Sequence, residues 1–478
     1  MNSLSKNTFF NILYNLANLI FPMISSMYVS RILLVDGVGK VAYAQNITSY
    51  FIMLACLGIS VYGTREIAIV RKNKREVNKL FTELLVINAV TTLFSAAVFF
   101  IVINQVPRFR SDYALMLCCG IQVILNLFNI DWLYQGYEEY AYISCRSIIV
   151  KTCSLIAVFI FVKNRNDYVC YALISSLALS TNYLFNIIHS KSFVSLSFHN
   201  LNLKKHIKPL MVLAFSVFFT TAYSKIDITM LGIMKSDAVV GIYSNSQKIN
   251  DIIITLTASI SSVFLPRFSY YYTNDRNEFD RLLTFGMKIL GFIAFPMFIG
   301  VYLLAPYGIL AMYGDSFACG AITLRILSLL IIIKSFANLI CYQMVISTGQ
   351  EKKLLYACII ASLINIVLNF ILIPSYDQNG AAVASVISEF SVDFIQLLLL
   401  RKTINFVVPI KEFWKNILST SIMAIVINIT VNIINNVISK LLFSFIFGCL
   451  TYGIVSYLFK VDIFLELIKK VKEKLFIH

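Results

Sequence analysis

The sequence predicts an all-α polytopic membrane protein with about 14 transmembrane helices. Three observations predict it. Of its 478 residues 59% are hydrophobic and only 13% are charged, against ~25% charged in a soluble domain. Mean hydropathy is correspondingly high, at +0.79. Apolar runs of roughly 20 residues, enough to cross a ~30 Å hydrocarbon core, recur from end to end. Lys and Arg gather in alternate loops, the pattern that orients helices across a bilayer.

Taken in order, the predicted spans cover 9–34, 41–63, 80–104, 112–135, 141–163, 168–190, 210–233, 238–264, 283–305, 321–347, 354–374, 380–400, 413–434 and 438–459. The first run is too long for a signal h-region, and no small-residue cleavage site follows it. Basic residues follow the second span (TREIAIVRKNKREVNK) and the sixth (Lys191, Lys204, Lys205, Lys208). They follow the eighth (Arg267, Arg276, Arg281) and the twelfth (Arg401, Lys402, Lys411, Lys415), and close the chain at Lys469, Lys470, Lys472 and Lys474. That places both termini in the cytoplasm, as an even number of spans requires. The net charge of +16 therefore reads as membrane orientation, with no nucleic-acid partner. The outer loops are too short for an independent active site, so no enzyme is expected. The ten cysteines lie mostly inside apolar runs without paired spacing, which predicts no disulfide framework, no metal and no cofactor.

An internal repeat organises the chain. Residues 36–45 (DGVGKVAYAQ) align with 236–245 (SDAVVGIYSN), so that Tyr43 falls on Tyr243. Both segments join the first and second helix of a six-helix unit. A second echo pairs QGYEEYAYIS after the fourth span with TGQEKKLLYA after the tenth. The expected organisation is a six-helix lobe (1–190), a cytoplasmic linker (191–208), a second six-helix lobe (209–402), and two added helices with a basic tail (403–478). Helices 1–6 and 7–12 are then pseudo-repeats around a central cavity, which is a transporter arrangement.

The polar residues inside the spans carry the functional reading. The segment 209–264 reads as two helices joined by a turn near Met234–Asp237, and it holds Lys225, Asp227, Lys248 and Asp251. A charge at membrane depth costs at least ~2.5–3.5 kcal/mol, so such groups face a partner or a wet cavity. At ~1.5 Å per residue, Lys225 and Lys248 fall roughly 12–15 Å from the outer ends of their helices. Lys334 lies in the middle of the tenth span and Lys151 in the middle of the fifth. Arg31 sits at the outer end of the first, where it either lines the cavity or snorkels. Cations outnumber acids in the seventh, eighth and tenth spans, which favours an anionic substrate over neutral packing pairs. Asn7, Asn11, Asn15 and Asn18 form one polar face of the first helix, and Gln122, Asn126 and Asn129 repeat that spacing in the fourth. Such stripes line a cavity or glue helices together. Glu389 and Asp393, one turn apart in the twelfth span, either take up a proton or Na⁺ and couple it to transport, or one of them pairs with a lysine on a neighbouring helix. Asp227 and Asp251 either share that role or pair with the lysines.

The segments NTFFNILYNLANLIFPMISSMYVSRIL, GISVYGTREIA (Gly58–Ala68), DWLYQGYEEY (Asp131–Tyr140), YSKIDITMLG (Tyr223–Gly232), VGIYSNSQKI (Val240–Ile249) and STGQEKK (Ser347–Lys353) together resemble bacterial polysaccharide flippases of the O-antigen (Wzx) type. These belong to the multidrug/oligosaccharidyl-lipid/polysaccharide (MOP) exporter superfamily. The resemblance implies transfer of an undecaprenyl-pyrophosphate-linked oligosaccharide, the repeat unit of an O-antigen or capsule, across the bacterial inner membrane by alternating access. It implies that Lys225, Lys248 and Lys334, with Arg31, hold the headgroup. It adds membrane lipids, a polysaccharide polymerase and a chain-length regulator as partners. The competing readings are a drug exporter like the MATE group, which should have a net acidic cavity, and a membrane polysaccharide polymerase, which would want a larger outer loop.

Overall fold

The computed structural model describes residues 2–343, 345, 351–400 and 408–475, and among them every regular element is a helix. Ten helical stretches of the described residues are long and apolar enough to cross a membrane, and Tyr113–Phe128 is a shorter apolar one. The protein is a multi-pass membrane protein. The STGQ stretch at 347–350, Arg401 and Lys402, and the side chain of Asn11, lie outside the described residues.

Contacts divide the chain into two compact units, Met1–Gly241 and Ile242–His478. The first unit holds α1 (Asn2–Cys56), α2 (Ile59–Val70), α3 (Lys74–Gln105), α4 (Pro107–Ser111), α5 (Tyr113–Leu125), α6 (Asp131–Gly136), α7 (Tyr140–Phe161), α8 (Tyr168–Ser190) and α9 (Lys204–Met234). Asn73 opens α3, its side chain accepting from the Arg75 amide at 3.2 Å. An Asn cap of this kind satisfies one of the orphan donors of a first turn.

α1 is a folded-back pair. Its backbone leaves the helical region at Leu34, with φ 57° and ψ −169°. Before Leu34 it runs parallel to α7: Phe10 meets Ser144, Asn18 meets Lys151 and Tyr28 meets Val162. After Leu34 it runs antiparallel to α3, with Phe51 bonded to Ser95 and Ala55 to Thr91. α3 and α7 themselves run the same way. α3 is antiparallel to α5 (Asn88 to Asn126, Phe99 to Gly120), α5 and its extension run with α8 (Gln122 to Ser176, Asp131 to Asn186), and α8 is antiparallel to α7 (Asn182 to Arg146). Leu34 is therefore a reversal of direction, at the end of the first predicted span. The turn that follows packs closely: a Cβ on Gly39 would overlap the Asp237 carbonyl, and one on Gly241 the Val35 carbonyl. The two repeat segments found in the sequence thus touch through their glycines. Arg108 pairs with Asp237 and lies 4.4 Å from the centre of the Tyr43 ring.

The second unit holds most of α10 (Asp237–Ser262), then α11 (Leu265–Asn274), α12 (Arg276–Tyr313), α13 (Gly320–Ala337), α14 (Glu351–Leu400), α15 (Ile410–Ile433), α16 (Val437–Leu458) and α17 (Asp462–Leu475). The predicted turn near Met234–Asp237 is where α9 stops and α10 starts. α14 is also a hairpin. It breaks at Asp377 (φ 48°, ψ −131°), and a Cβ on Gly380 would overlap the Leu372 carbonyl, a contact that a straight helix could not make. Pro22 lies inside α1, and Pro296 and Pro306 inside α12, without ending either helix. Helices in lipid gain little from burying apolar surface against each other, so small residues and hydrogen bonds hold them together. Both units show this, while aromatic clusters form around Trp132 and Tyr134 in the first and around Phe268 and Phe279 in the second.

Candidate functional site

In the first unit, α9 carries Lys225 and Asp227. The turn from Lys225 to Thr229 is fixed to the second limb of α1. Asn46 donates to the Lys225 carbonyl at 3.2 Å and to Thr229 Oγ1 at 2.7 Å, and the Tyr50 hydroxyl lies 2.9 Å from the same Thr229 oxygen. Asp227 is buried, 5% exposed, and Lys225 is half-buried.

The first limb of α1 meets a second lysine. Lys151 of α7 donates to Asn18 Oδ1, and its ammonium lies 5.6 Å from the centre of the Tyr14 ring. Asn15 and Arg31 are exposed. The asparagine stripe thus does hold a cation, through Asn18, and Lys151 is a cation that the ranking of the sequence left outside the site. Its signal was present, as a lone charge in the middle of an apolar run.

The matching stripe of the fourth predicted span behaves differently. Gln122 donates to Ser176 at 2.9 Å, Asn88 donates to the Asn126 carbonyl at 3.1 Å, and Asn129 donates to Asn126 Oδ1 at 3.3 Å. Gln122 and Asn126 are buried, so this stripe joins helices. Nearby, the buried Arg146 donates to Asn182 at 3.0 Å, to Asp131 at 3.0 Å and to Asn186, which itself donates to Asp131 at 2.6 Å. Each of the three guanidinium nitrogens of Arg146 thus has an acceptor, the condition under which a buried charge is tolerable.

In the second unit, α10 carries Lys248 and Asp251. Lys248 donates to Asn245 Oδ1 at 3.3 Å. Both side chains are exposed. Lys334 of α13 forms an ion pair with Glu389 of α14 at 2.7 Å, with side chains 29% and 16% exposed. Asp251 interacts electrostatically with both members of this pair. Asp393, one turn beyond Glu389, lies with it beside Cys358. No group of three or more His, Cys, Asp or Glu among the described residues is arranged to hold a metal ion.

Lys334 reads from the sequence as an anion ligand, and Glu389 as either an ion-coupling group or the partner of a lysine on a neighbouring helix. Here Glu389 is the partner of Lys334. The folded α14 also adds its acids to the lysines of α10 and α13. Within the second unit Lys248 and Lys334 stand with Asp251, Glu389 and Asp393, so cations do not outnumber acids there. In the first unit Lys225 and Lys151 stand with Asp227.

Two such helical bundles have the fold of the MOP exporters. The whole chain superimposes on "Lipid II flippase MurJ, inward closed conformation" with a TM-score of 0.76 at 18% identity, covering 95% of this chain and 99% of that one. A multidrug resistance MATE family transporter of the MOP superfamily, inward-facing, matches with a TM-score of 0.63 at 16% identity over 80% of this chain and 93% of that one. The family model described as Polysaccharide biosynthesis protein matches residues 4–272, and the MatE model matches 213–371. The chain belongs to the polysaccharide biosynthesis protein family. Similar proteins include the "Putative O-antigen transporter" of Escherichia coli K12, 23% identical over 84% of this chain and 97% of that protein. The "Capsular polysaccharide biosynthesis protein CapF" of Staphylococcus aureus is 23% identical over 80% of this chain and 96% of that protein.

Proposed function

We propose that this protein is a flippase that carries a lipid-linked oligosaccharide, the undecaprenyl-pyrophosphate-bound repeat unit of an O-antigen or capsule, from the inner to the outer leaflet of the bacterial cytoplasmic membrane. The observation that carries the reading is the presence of Lys225 and Lys151 inside helices of a family named for polysaccharide biosynthesis, with a "Putative O-antigen transporter" among its relatives. A pyrophosphate is recognised by charge-assisted hydrogen bonds from such cations, and the exposed Asn15 with Asn18 offers amides to the sugar. The reading leaves no covalent chemistry for the protein, so it is a transporter and not an enzyme.

In the second unit Lys248 and Lys334 are further anion ligands, as is Arg31 in the first. Lys334 exchanges its Glu389 partner for the substrate phosphates. Asp227, Asp251, Glu389 and Asp393 are the groups that take up a proton or Na⁺ as the units alternate. Counting each folded helix as two passes, and adding α9 and the α5–α6 stretch to the ten apolar helices, supports fourteen passes with both termini in the cytoplasm. A polymerase and a chain-length regulator would receive the product at the outer face.

One observation favours a second reading. The second unit's acid excess and the match of the MatE model to 213–371 suit an exporter of organic cations. One experiment separates the two. A host deleted for its own flippase, and carrying the matching glycan pathway, is supplied with this chain or with its Lys225→Ala or Lys151→Ala variant at equal membrane levels. Restored surface polymer with the intact chain, and its loss in the variants, supports the flippase. Lipid-linked glycan left facing the cytoplasm, with gained resistance to a cationic drug, would overturn it.

A further inference from the structure

The first unit contains a cavity apart from the charged groups of the candidate site. Its volume is about 630 Å³, within the ~300–1,000 Å³ of small-ligand sites. Phe81, Leu85 and Ala89 of α3 form one wall, Phe128 after α5 a second, and Ile187 of α8 a third. Lys191 is the sole charged residue among the described residues of the lining.

The level of this cavity is set by the helices. α8 is an apolar crossing helix that ends at Ser190, so Lys191 stands where hydrocarbon gives way to headgroups. Phe81, Leu85 and Ala89 lie within the apolar helix Lys74–Gln105, on the hydrocarbon side of that boundary. The segment after α8 is stitched onto α3. The Ser195 amide donates to Asn78 Oδ1 at 3.0 Å, Asn78 donates back to Ser195 Oγ at 2.8 Å, and the Ser197 amide donates to Thr82 Oγ1 at 2.9 Å. Between and beyond these bonds Leu196 and Phe198 are 55% and 68% exposed. Apolar side chains held outward on a non-helical segment at this level suit contact with lipid, as interfacial aromatics do.

We propose that this groove binds an anionic phospholipid, with one acyl chain along Phe81, Leu85 and Ala89 and the lipid phosphate against the Lys191 ammonium. The charge argues for this occupant. A phosphodiester carries a single negative charge, which one lysine matches, whereas a polyprenyl pyrophosphate carries more. The segment that closes the groove also leads into α9, which bears Lys225. Lipid bound here steadies the segment from which that helix starts.

The test uses the purified full chain in detergent, stripped of lipid. Native mass spectrometry compares retention of phosphatidylglycerol and of phosphatidylcholine with identical tails, with undecaprenyl phosphate as competitor. The intact chain should retain phosphatidylglycerol about fivefold better, as expected for one lysine at an anionic surface. Lys191→Gln should reduce it to the phosphatidylcholine level, and Ala89→Phe should lower retention of both. Lys191 is exposed, so Lys191→Gln remains decisive if Ala89→Phe does not fold. Equal retention of the two phospholipids by the intact chain, or no change in Lys191→Gln, would overturn the proposal. Preferential displacement by undecaprenyl phosphate would overturn it too, because the groove would then belong to the substrate's tail.

Discussion

Replacing Lys334 by Ala leaves the Glu389 carboxylate at membrane depth without the ammonium now 2.7 Å away. Removing one partner of a fully buried pair costs ~3–5 kcal/mol, while an exposed pair contributes only ~0.2–1 kcal/mol. With side chains 29% and 16% exposed, this pair lies between those limits, at ~1–3 kcal/mol. A shift of ~2–4 °C per kcal/mol, typical of domains of ~150–250 residues, converts this to a fall in Tm of roughly 2–12 °C. The assay is thermal unfolding in detergent of the intact chain, Lys334→Ala, Glu389→Gln and the double variant, read as a double-mutant cycle. The double variant should recover most of the lost stability, because no uncompensated charge remains. It should not recover transport, because the cation that would meet the substrate is gone. If the double variant restores transport as well as stability, Lys334 is a packing charge and its place in the site is wrong. If Lys334→Ala is as stable as the intact chain, the pair itself is not maintained.

Three other outcomes follow from the geometry. Gly39→Ala should destabilise the protein by ~1–3 kcal/mol, since its methyl would overlap the Asp237 carbonyl, while Gly300→Ala, with open space around it inside α12, should be neutral or stabilising by up to ~1 kcal/mol; equal Tm values for the two variants would remove the close contact of the repeat turns. Arg146→Leu should cost ~3 kcal/mol or more, because Asp131, Asn182 and Asn186 lose their common donor, and unchanged expression and Tm would contradict that. Asp167 accepts from the Lys163 and Asn164 amides at 2.9 and 2.7 Å, which holds its carboxyl below the usual carboxylate range. A depressed carboxylate contributes above its unfolded pKa of ~3.9 and loses that contribution as pH falls through the folded value. Hydrogen-exchange protection at Lys163 and Asn164 should therefore hold at neutral pH and vanish in acid, and acid-independent protection would refute the bond.

The class of fold was legible because membrane helices announce themselves by length and apolarity alone. The breaks between helices were legible too. The first predicted span ends at Leu34, and the gap between the eleventh and twelfth contains Asp377, the two points at which the backbone turns back. The repeat segments were legible as a pattern, but the close approach that Gly39 and Gly241 make within them was not. The site was legible one helix at a time. Spacing tells which residues share a face, and not which helix that face will meet. The asparagine stripe of α1 and the stripe of Gln122, Asn126 and Asn129 are equivalent as patterns, but Asn18 meets a lysine and Asn126 meets another amide. Lys334 and Glu389 come together only because α14 folds back at Asp377 and lays its second limb along α13, where Thr323 also bonds to Asn379 at 2.8 Å. No local signal in either helix announces that partner.

The central claim is movement of a lipid-linked glycan past the lysines of the spans. The direct measurement is translocation in vesicles that contain the purified chain and a fluorescent undecaprenyl-pyrophosphate-linked oligosaccharide, scored by the fraction that becomes accessible to a quencher outside. Vesicles with the intact chain should expose the inner pool, and vesicles with the double Lys151→Ala, Lys225→Ala variant should leave it protected. Protection that persists with the intact chain, under a proton or a Na⁺ gradient, would contradict the account.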